Sequence, residues 1–375
     1  MSRLRRPSVC LLAPLLLAGC THPAATDAIV VGHLAPLGEP AGERAQRGIA
    51  LAVEEANAAG DKVNGRRVEV VHVDDKGGPS AAGDEAVRLI AVNRAVALLG
   101  GFRAERAEPI GRAAQPYGVP LVTPSPLPSP LAADTAFSTC PPPSHQGRVL
   151  ARFAADELKV KHVAVLLDAR GGIFPGVAAA FVRDFADGTR QVEQFRYDSD
   201  AGLADLAARA AKTKSDAVLI AAPVADFVKL RDGLGKAEVR APVLFGGEET
   251  AWPALLAEAD AARGVYALTT FAADALTPAG QEFAKRYRER FKEAPDLHAA
   301  AAYDGARLLF EVMRRAKSTE PDRLRPAFAD LGTFDSVTGP LTIDKDDHGA
   351  RRPMFVVRQE EGQTKLVRRY DPSLP

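Results

Sequence analysis

One side chain that could bind a small anionic molecule is Arg103, which directly follows the run Gly100–Phe102. A guanidinium in a loop after a strand can hold a carboxylate through two parallel hydrogen bonds. Alternatively, Arg103 pairs with Glu105 or Glu108 on the surface. Phe102 either packs on the same ligand or fills the core. Both side chains are therefore candidate ligand contacts.

Motifs typical of catalysis and of cofactor binding are not found in the chain. There is no GxGxxG dinucleotide fingerprint, no GxxxxGK[ST] phosphate loop and no GxSxG nucleophile elbow. The seven histidines are scattered, without HExxH or another spacing typical of metal ligands. The sequence therefore predicts a protein that is not an enzyme and that uses no cofactor and no metal.

The N-terminal residues have the order of an export signal. Three arginines within the first six residues are followed by an apolar stretch, Val9–Leu17, that is too short to span a bilayer permanently. The tetrad Leu17–Cys20 resembles the lipobox of bacterial lipoproteins, in which the signal is cut before a lipidated cysteine. We therefore predict a signal peptide over 1–20, lipidation at Cys20 and a periplasmic protein anchored to a bacterial membrane. The alternative is an ordinary signal peptide cut elsewhere, such as at Ala24-Ala25.

Composition limits the class of protein. The 375 residues carry 48 basic and 48 acidic side chains, so no nucleic-acid-binding surface is indicated. With Cys10 in the signal and Cys20 lipidated, Cys140 has no partner for a disulfide and is expected to be a buried, inert thiol.

Short β-branched runs alternate with amphipathic segments from about residue 28. Strands are predicted at 29–34, 67–73, 95–100 and 119–122, with helices between them. After a proline-rich break at 124–143 the alternation resumes, with strands at 161–168, 191–197, 217–222 and 243–245. This pattern predicts two α/β modules with mostly parallel sheets covered by helices on both faces. Two further helices, around Phe283–Phe291 and Ala299–Met313, are expected to return to the first module.

Several stretches resemble the leucine/isoleucine/valine-binding branch of the type I periplasmic binding proteins, in register from about residue 28 to 370. The matching segments are 31–38, 46–60, 63–70, 74–75, 118–124, 303–305 and 334–340.

The resemblance implies an α/β fold of two Rossmann-like lobes joined by a three-crossover hinge. It places the crossovers near Pro143, Thr270 and Thr333, with 28–143 plus 271–332 in lobe 1 and 144–270 plus 333–375 in lobe 2. It further implies a protein that captures an amino acid or a related small molecule and delivers it to an ABC permease. The alternative is a ligand-sensing envelope lipoprotein of the same fold, without a role in transport.

The resemblance also implies a set of ligand-binding residues at the carboxyl ends of strands, where pockets of open α/β sheets lie. These are Phe102, Arg103, Ala104, Glu105, Pro126 and Leu127 in lobe 1, and Phe174, Val224 and Glu248 in lobe 2.

Three of these residues depart from the family pattern, and one of them, Val224, stands where relatives commonly carry an aromatic side chain. Relatives present hydroxyl groups where this chain has Ala104 and Leu127, so only backbone N–H groups at the helix start are left to hold a carboxylate. Glu248 matches the acid that binds the ligand ammonium. Its alternative is a solvated loop acid.

Overall fold

The computed structural model describes residues 28–58, 60, 62–75, 78–127 and 134–372. The predicted signal peptide and Cys20 lie outside this range. The chain forms two α/β lobes, as the sequence predicts.

The first lobe is built on a parallel sheet of five strands in the order β2-β1-β3-β4-β5. The strands are β1 (Ile29–Ala35), β2 (Val68–Asp74), β3 (Ala97–Gly100), β4 (Leu121–Thr123) and β5 (Ala136–Ser138). The connecting helices are α1 (Pro40–Ala58), α2 (Pro79–Ala91) and α3 (Ala104–Ala114). The strand β5, which is three residues long and lies inside the proline-rich stretch, has no counterpart in the sequence-based prediction.

The second lobe contains a seven-stranded sheet. Its parallel strands are β6 (His162–Asp168), β7 (Gln191–Tyr197), β8 (Ala217–Ala221), β9 (Val243–Phe245) and β10 (Tyr266–Thr269). Its helices are α4 (Pro143–Asp156), α5 (Phe174–Phe185), α6 (Leu203–Lys212), α7 (Val224–Lys236), α8 (Trp252–Ala257) and α9 (Ala259–Ala262). Because β6 and β8 are covered on both faces, they read as continuous apolar runs.

The chain then returns to the first lobe. Three helices, α10 (Pro278–Phe291), α11 (Leu297–Ala316) and α12 (Pro321–Ala329), share one core with β1 and α1. The buried stripe of α1, formed by Ala45, Ile49, Ala52 and Ala56, belongs to that core, as the 3.6-residue spacing predicts.

The last crossing lies later than the resemblance implies. Three short strands, β11 (Phe334–Ser336), β12 (Gly339–Ile343) and β13 (Ala350–Arg351), form an antiparallel sheet whose apolar side chains enter the core of the first lobe. Only β14 (Met354–Glu360) and β15 (Gln363–Tyr370) join the second sheet, where β14 pairs antiparallel with β10. The chain therefore crosses at Arg352–Pro353 rather than at Thr333, because residues such as Val337 and Leu341 are buried against the first lobe.

Arg352 ties the three crossing segments together. Its side chain is 2% exposed and donates to the backbone oxygen of Thr139 in the first crossing, at 3.2 Å. It also donates to Asp304 Oδ2 at 3.3 Å and to Thr338 Oγ1 at 3.0 Å. The Thr338 hydroxyl in turn donates to the backbone oxygen of Thr270 in the second crossing, at 2.7 Å. The hinge is therefore a buried polar cluster centred on one guanidinium.

Candidate functional site

A cavity of about 420 Å³ lies between the lobes, in the size range of small-molecule pockets. Its lining combines apolar side chains with several charged ones. The residues are Pro36, Glu39, Pro40, Ala41, Arg44, Asp75, Phe102, Arg103, Arg106, Thr250, Pro253, Ala254, Ala257, Asp296 and His298. The lining comes from both lobes, as a site that closes around a ligand requires.

Two glycines set the position of Phe102 and Arg103. Gly100 and Gly101 have φ angles of +129° and +69°, which L side chains rarely adopt. A Cβ on Gly100 would lie 2.0 Å from the backbone oxygen of Leu34, and one on Gly101 would lie 2.7 Å from Ala107 Cα. The chain can therefore turn sharply out of β3 and present the next two residues to the cavity.

Phe102 forms an apolar wall of the cavity and is held between two histidines. Its ring centroid lies 6.1 Å from that of His33 and 6.0 Å from that of His298. It is 4% exposed, so it both lines the cavity and packs in the core of the first lobe. The two roles proposed for Phe102 from the sequence are therefore compatible.

Arg103 is exposed and lines the cavity. Within the described part of the chain it forms no ion pair, and the surface pair with Glu105 or Glu108 is not formed. Glu108 pairs instead with Arg112, one helical turn further along α3. The guanidinium of Arg103 is thus available to a ligand.

The other cations of the cavity are already paired. Arg106 forms a buried salt bridge with Asp75, and Arg44 lies 3.5 Å from Asp296. These pairs leave Arg103 as the guanidinium in this lining that forms no ion pair with a described residue.

Thr250 contributes a polar group from the second lobe. Its backbone oxygen accepts a hydrogen bond from His298 Nε2 of the first lobe at 3.1 Å, so the lobes touch here. Its hydroxyl is buried and has no hydrogen-bond partner among the described residues. Because an unpaired buried hydroxyl is costly, this group is a natural contact for a polar ligand atom.

Glu248 lies beside the cavity and bridges the lobes. Its Oε2 accepts a hydrogen bond from the backbone N–H of Ala104 at 2.9 Å and lies 3.5 Å from Ser125 Oγ. Ala104 is the first residue of α3, where the orphan N–H groups and the helix dipole favour a negative charge. Desolvation nevertheless raises the pKa of Glu248 to about 7. The backbone N–H of Ala104, expected from the sequence to hold a ligand carboxylate, binds the protein's own Glu248 carboxyl group in this structure.

The remaining predicted contacts lie outside the lining of the cavity. Glu105 is exposed on α3, and Pro126 is buried. Leu127 packs into the core formed with α2 and α3, so it does not line the described cavity. Phe174 and Val224 are half-buried at the helix starts of the second lobe and pack against its two cores. They remain candidate contacts only if the ligand extends beyond the described cavity.

The carboxyl edge of the second sheet holds an ion network that sequence reasoning did not single out. Arg170 donates to Asp168 Oδ2 at 2.7 Å and to Asp200 Oδ1 at 2.6 Å, and it also binds Asp226. Tyr197 donates its hydroxyl to Asp226 at 3.0 Å. The charged side chains at this edge are therefore paired with one another, whereas Arg103 of the first lobe has no ion pair.

Several cavity residues were also missed. Thr250 follows Glu248 by two positions, so the strand-end rule that selected Glu248 could have included it. Asp296 and His298, at the start of α11, could not be found this way, because nearly two hundred residues separate them from Phe102 in the chain. Only the return of α11 to the first lobe places them at the cavity.

Comparison with known proteins identifies the family. The family model described as periplasmic binding protein matches residues 28–364. The chain belongs to the periplasmic binding protein family. It is 25% identical to the Leu/Ile/Val-binding protein homolog 2 of Brucella abortus, over 95% of each chain.

Solved structures show the same fold. A leucine-binding protein of Thermotoga maritima aligns with a TM-score of 0.80 and 22% identity, over 92% of this chain and 99% of that one. A solute-binding protein of Rhodopseudomonas palustris in complex with 4-hydroxybenzoate aligns with a TM-score of 0.76 and 21% identity, over 92% and 97%. The resemblance noted in the sequence is confirmed, as is the α/β architecture of two lobes with parallel sheets.

Two further properties of this binding protein concern residues outside the cavity. No helix in residues 28–372, apart from the short gaps, has the length and apolar character required to span a bilayer. Cys140 is buried and free, and burial raises the pKa of its thiol well above the ordinary value, as expected for an inert cysteine.

Proposed function

We propose that this protein is an extracytoplasmic solute receptor that captures a small carboxylate, such as an amino acid or a related compound, and delivers it to an ABC permease. The observation that carries the proposal is the cavity between the lobes. It joins the unpaired guanidinium of Arg103, the unpartnered hydroxyl of Thr250 and the apolar wall of Phe102. A carboxylate with a compact apolar body fits this combination of groups.

The roles of the individual residues follow from their positions. Arg103 binds the ligand carboxylate, and Phe102, with Pro253 and Ala254 opposite, packs against its apolar body. In this role the ligand is held and released unchanged. Glu248, next to the cavity, offers a negative charge to a ligand ammonium.

The location and partner belong to the same proposal. Periplasmic binding proteins act outside the cytoplasm, and the leader sequence with Cys20 supports a lipid-anchored protein in the periplasm of a bacterium. The Brucella homologue is named for leucine, isoleucine and valine, and the Rhodopseudomonas protein holds 4-hydroxybenzoate. Both kinds of ligand carry a carboxylate, which is the feature that the proposed site recognises.

A thermal-shift panel tests the proposal. The panel contains leucine, isoleucine, valine, phenylalanine, benzoate and 4-hydroxybenzoate, each paired with its amide. We expect at least one carboxylate to raise Tm, by the mass-action stabilisation of about 3–4 kcal/mol at 100 to 1,000 times Kd. Its amide should give a much smaller shift because it lacks the charge that Arg103 binds. No shift with any carboxylate, or equal shifts with the amides, would contradict the proposed site.

A further inference from the structure

The described part of the chain begins close to the cysteine predicted to carry the lipid. Cys20 precedes Ala28 by eight positions, and a fully extended chain of that length spans at most about 29 Å. Ala28 has a fixed position, because its backbone oxygen accepts a hydrogen bond from Arg66 at 3.2 Å. The next residue, Ile29, donates its N–H to the backbone oxygen of Arg67 at 2.7 Å. A lipid on Cys20 would therefore hold this end of the first lobe near the membrane.

This end of the lobe is one complete edge of the first sheet. The five strands are parallel, so the residues directly before them lie along the same edge. Helices that connect parallel strands end there too. We define the amino edge as the C-terminal ends of α2, α3 and α11 together with residues 28, 67, 96, 120 and 135. Pro36, directly after β1, lines the cavity at the opposite edge, about 26 Å from Ala28.

The amino edge carries two of the exposed apolar side chains of the protein. In the described ranges, the large apolar residues with exposed side chains are Val92, Tyr117 and Val367, at 70%, 47% and 43%. Val92 ends α2, and Tyr117 ends the short helix Gln115–Tyr117 that follows α3. Because α2 and α3 share one core, these two ends are neighbours. Val92 and Tyr117 form an apolar pair, and tyrosine in particular is enriched where a protein meets the headgroups of a membrane.

Unpaired cations lie beside the apolar pair. Arg67 precedes β2, Arg94 lies just before β3 and Lys317 ends α11, and all three are exposed. Asn64 donates to the backbone oxygen of Met313 at 2.9 Å, which brings the end of α11 to the amino edge. None of the three cations forms an ion pair with a described residue. Such cations are attracted to anionic phospholipid headgroups.

The acidic residues of this end lie mainly on its other side. Asp134 comes before β5, and Glu320 and Asp322 lie at the start of α12, close to Gly118. On the side of β2 the exposed acid is Glu69, one residue inside the strand. The half of the amino edge that precedes β2, β1 and β3 is therefore the half that suits a negatively charged surface, and it is also the half that the chain from Cys20 enters.

We propose that the amino edge of the first lobe is a membrane-contact surface. It lies on the anionic phospholipid headgroups of the membrane that holds the lipid of Cys20, with the apolar pair at the interface and the three cations on the headgroups. The proposal rests on the lipid anchor of the proposed function and adds the orientation of the anchored protein. Because the cavity lies at the opposite edge of the sheet, the cleft faces away from this membrane and stays accessible to ligands in solution.

Protection of a site-specific fluorophore tests the proposal. Since Cys20 carries the lipid and Cys140 is buried, an introduced cysteine is the thiol that a nitrobenzoxadiazole label reaches. The label is placed at Gln115→Cys on the amino edge, or at Lys236→Cys at the exposed end of α7 in the second lobe. The lipidated protein is added to preformed vesicles of phosphatidylethanolamine and phosphatidylglycerol. We expect dithionite to reduce the label at Gln115→Cys about tenfold more slowly than the label at Lys236→Cys.

Variants separate the contributions of the surface. The double variant Val92→Asp with Tyr117→Ser should abolish the difference between the two labels. The matched control is Val367→Asp, which changes the exposed apolar residue of β15 in the second lobe and should leave the difference as in the wild type. Arg67→Gln removes one cation and should lower the ratio of docked to undocked molecules by about fivefold. All these side chains are exposed, so Tm should change little in each variant.

Equal rates for the two labels on the lipidated wild type would overturn the membrane-contact surface and leave the lipid anchor in place. A difference that survives in the double variant, or one that Val367→Asp abolishes as well, would also overturn it. Mass spectrometry of the N-terminal peptide measures the lipid directly. A Cys20 without lipid would overturn both the anchor and this proposal, whereas ligand binding in the thermal-shift panel does not depend on either.

Discussion

Charged side chains have different surroundings in the hinge and in the cleft. In the hinge, Arg352 and Asp304 are both almost fully buried, and each has several hydrogen-bond partners. In the cleft, the exposed Arg103 has no ion-pair partner among the described residues, and the half-buried Glu248 accepts hydrogen bonds from neutral donors alone. The two regions meet at adjacent residues of the chain. Glu248 lies beside the cleft, whereas Glu249 binds the hinge residue Thr270.

This difference distinguishes the groups that stabilise the folded protein from those that are available to bind a ligand. A buried charge that is fully paired within the protein costs free energy if either partner is removed, and it fixes the position of the segments that it joins. A charge without an internal partner can be neutralised from outside, so its contribution appears as ligand affinity. Substitutions in the hinge should therefore change stability, and substitutions in the cleft should change binding.

The largest expected effect comes from breaking the hinge cluster. Arg352→Met should lower the free energy of unfolding by about 3–5 kcal/mol, because it leaves the carboxylate of Asp304 buried without its cation. Urea denaturation measures this loss. The matched control is Arg351→Met, which removes a partly exposed arginine paired with Asp347 and should cost about 0–1 kcal/mol. Equal losses in the two variants would show that the cluster does not stabilise the fold.

A smaller effect, confined to binding, is expected at Arg103. Arg103→Gln should weaken the carboxylate identified by the thermal-shift panel by about 1–3 kcal/mol, the range for hydrogen bonds to charged groups reduced for an exposed side chain. Its free energy of unfolding should change by less than about 0.5 kcal/mol. Isothermal titration calorimetry measures the affinity, with Arg112→Gln on the same helix as control. A loss in stability without a loss in affinity would show that Arg103 stabilises the fold and does not bind the ligand.

The sequence predicts the two sheets well because their strands carry strong local signals. The segments 191–197 and 243–245 agree residue for residue with β7 and β9. Likewise, the buried stripe of α1 follows directly from its apolar spacing. These elements are specified by side chains that are near one another in the chain.

The parts that the sequence does not predict depend on contacts between distant segments. The hinge cluster joins Thr139, Thr270 and Arg352, and no local pattern marks a buried arginine. The family resemblance implies a ligand contact at Leu127, yet its apolar side chain packs in the core, where a side chain with a hydroxyl group would be less favourable. The occupation of the Ala104 anion site by Glu248 also needs both lobes in place. Family resemblance locates the cleft, and the geometry decides which of its residues can reach a ligand.

Two threonines provide the finest test of the comparison between hinge and cleft. The hydroxyl of Thr270 donates to Glu249 at 3.0 Å, whereas the hydroxyl of Thr250 has no partner among the described residues. Thr270→Val should therefore destabilise the protein by about 1–3 kcal/mol, since it leaves a buried carboxylate with one hydrogen bond fewer.

Thr250→Val removes an unpaired polar group and should leave stability unchanged or slightly higher. If that hydroxyl contacts the ligand, Thr250→Val should also weaken binding by about 0.5–1.5 kcal/mol. Denaturation and calorimetry on the same two variants measure both quantities. A destabilised Thr250→Val protein with unchanged affinity would show that this hydroxyl stabilises the fold and does not bind the ligand. Thr250, the cleft residue nearest the hinge, would then behave as a hinge residue, and the proposed difference between the two regions would be wrong there.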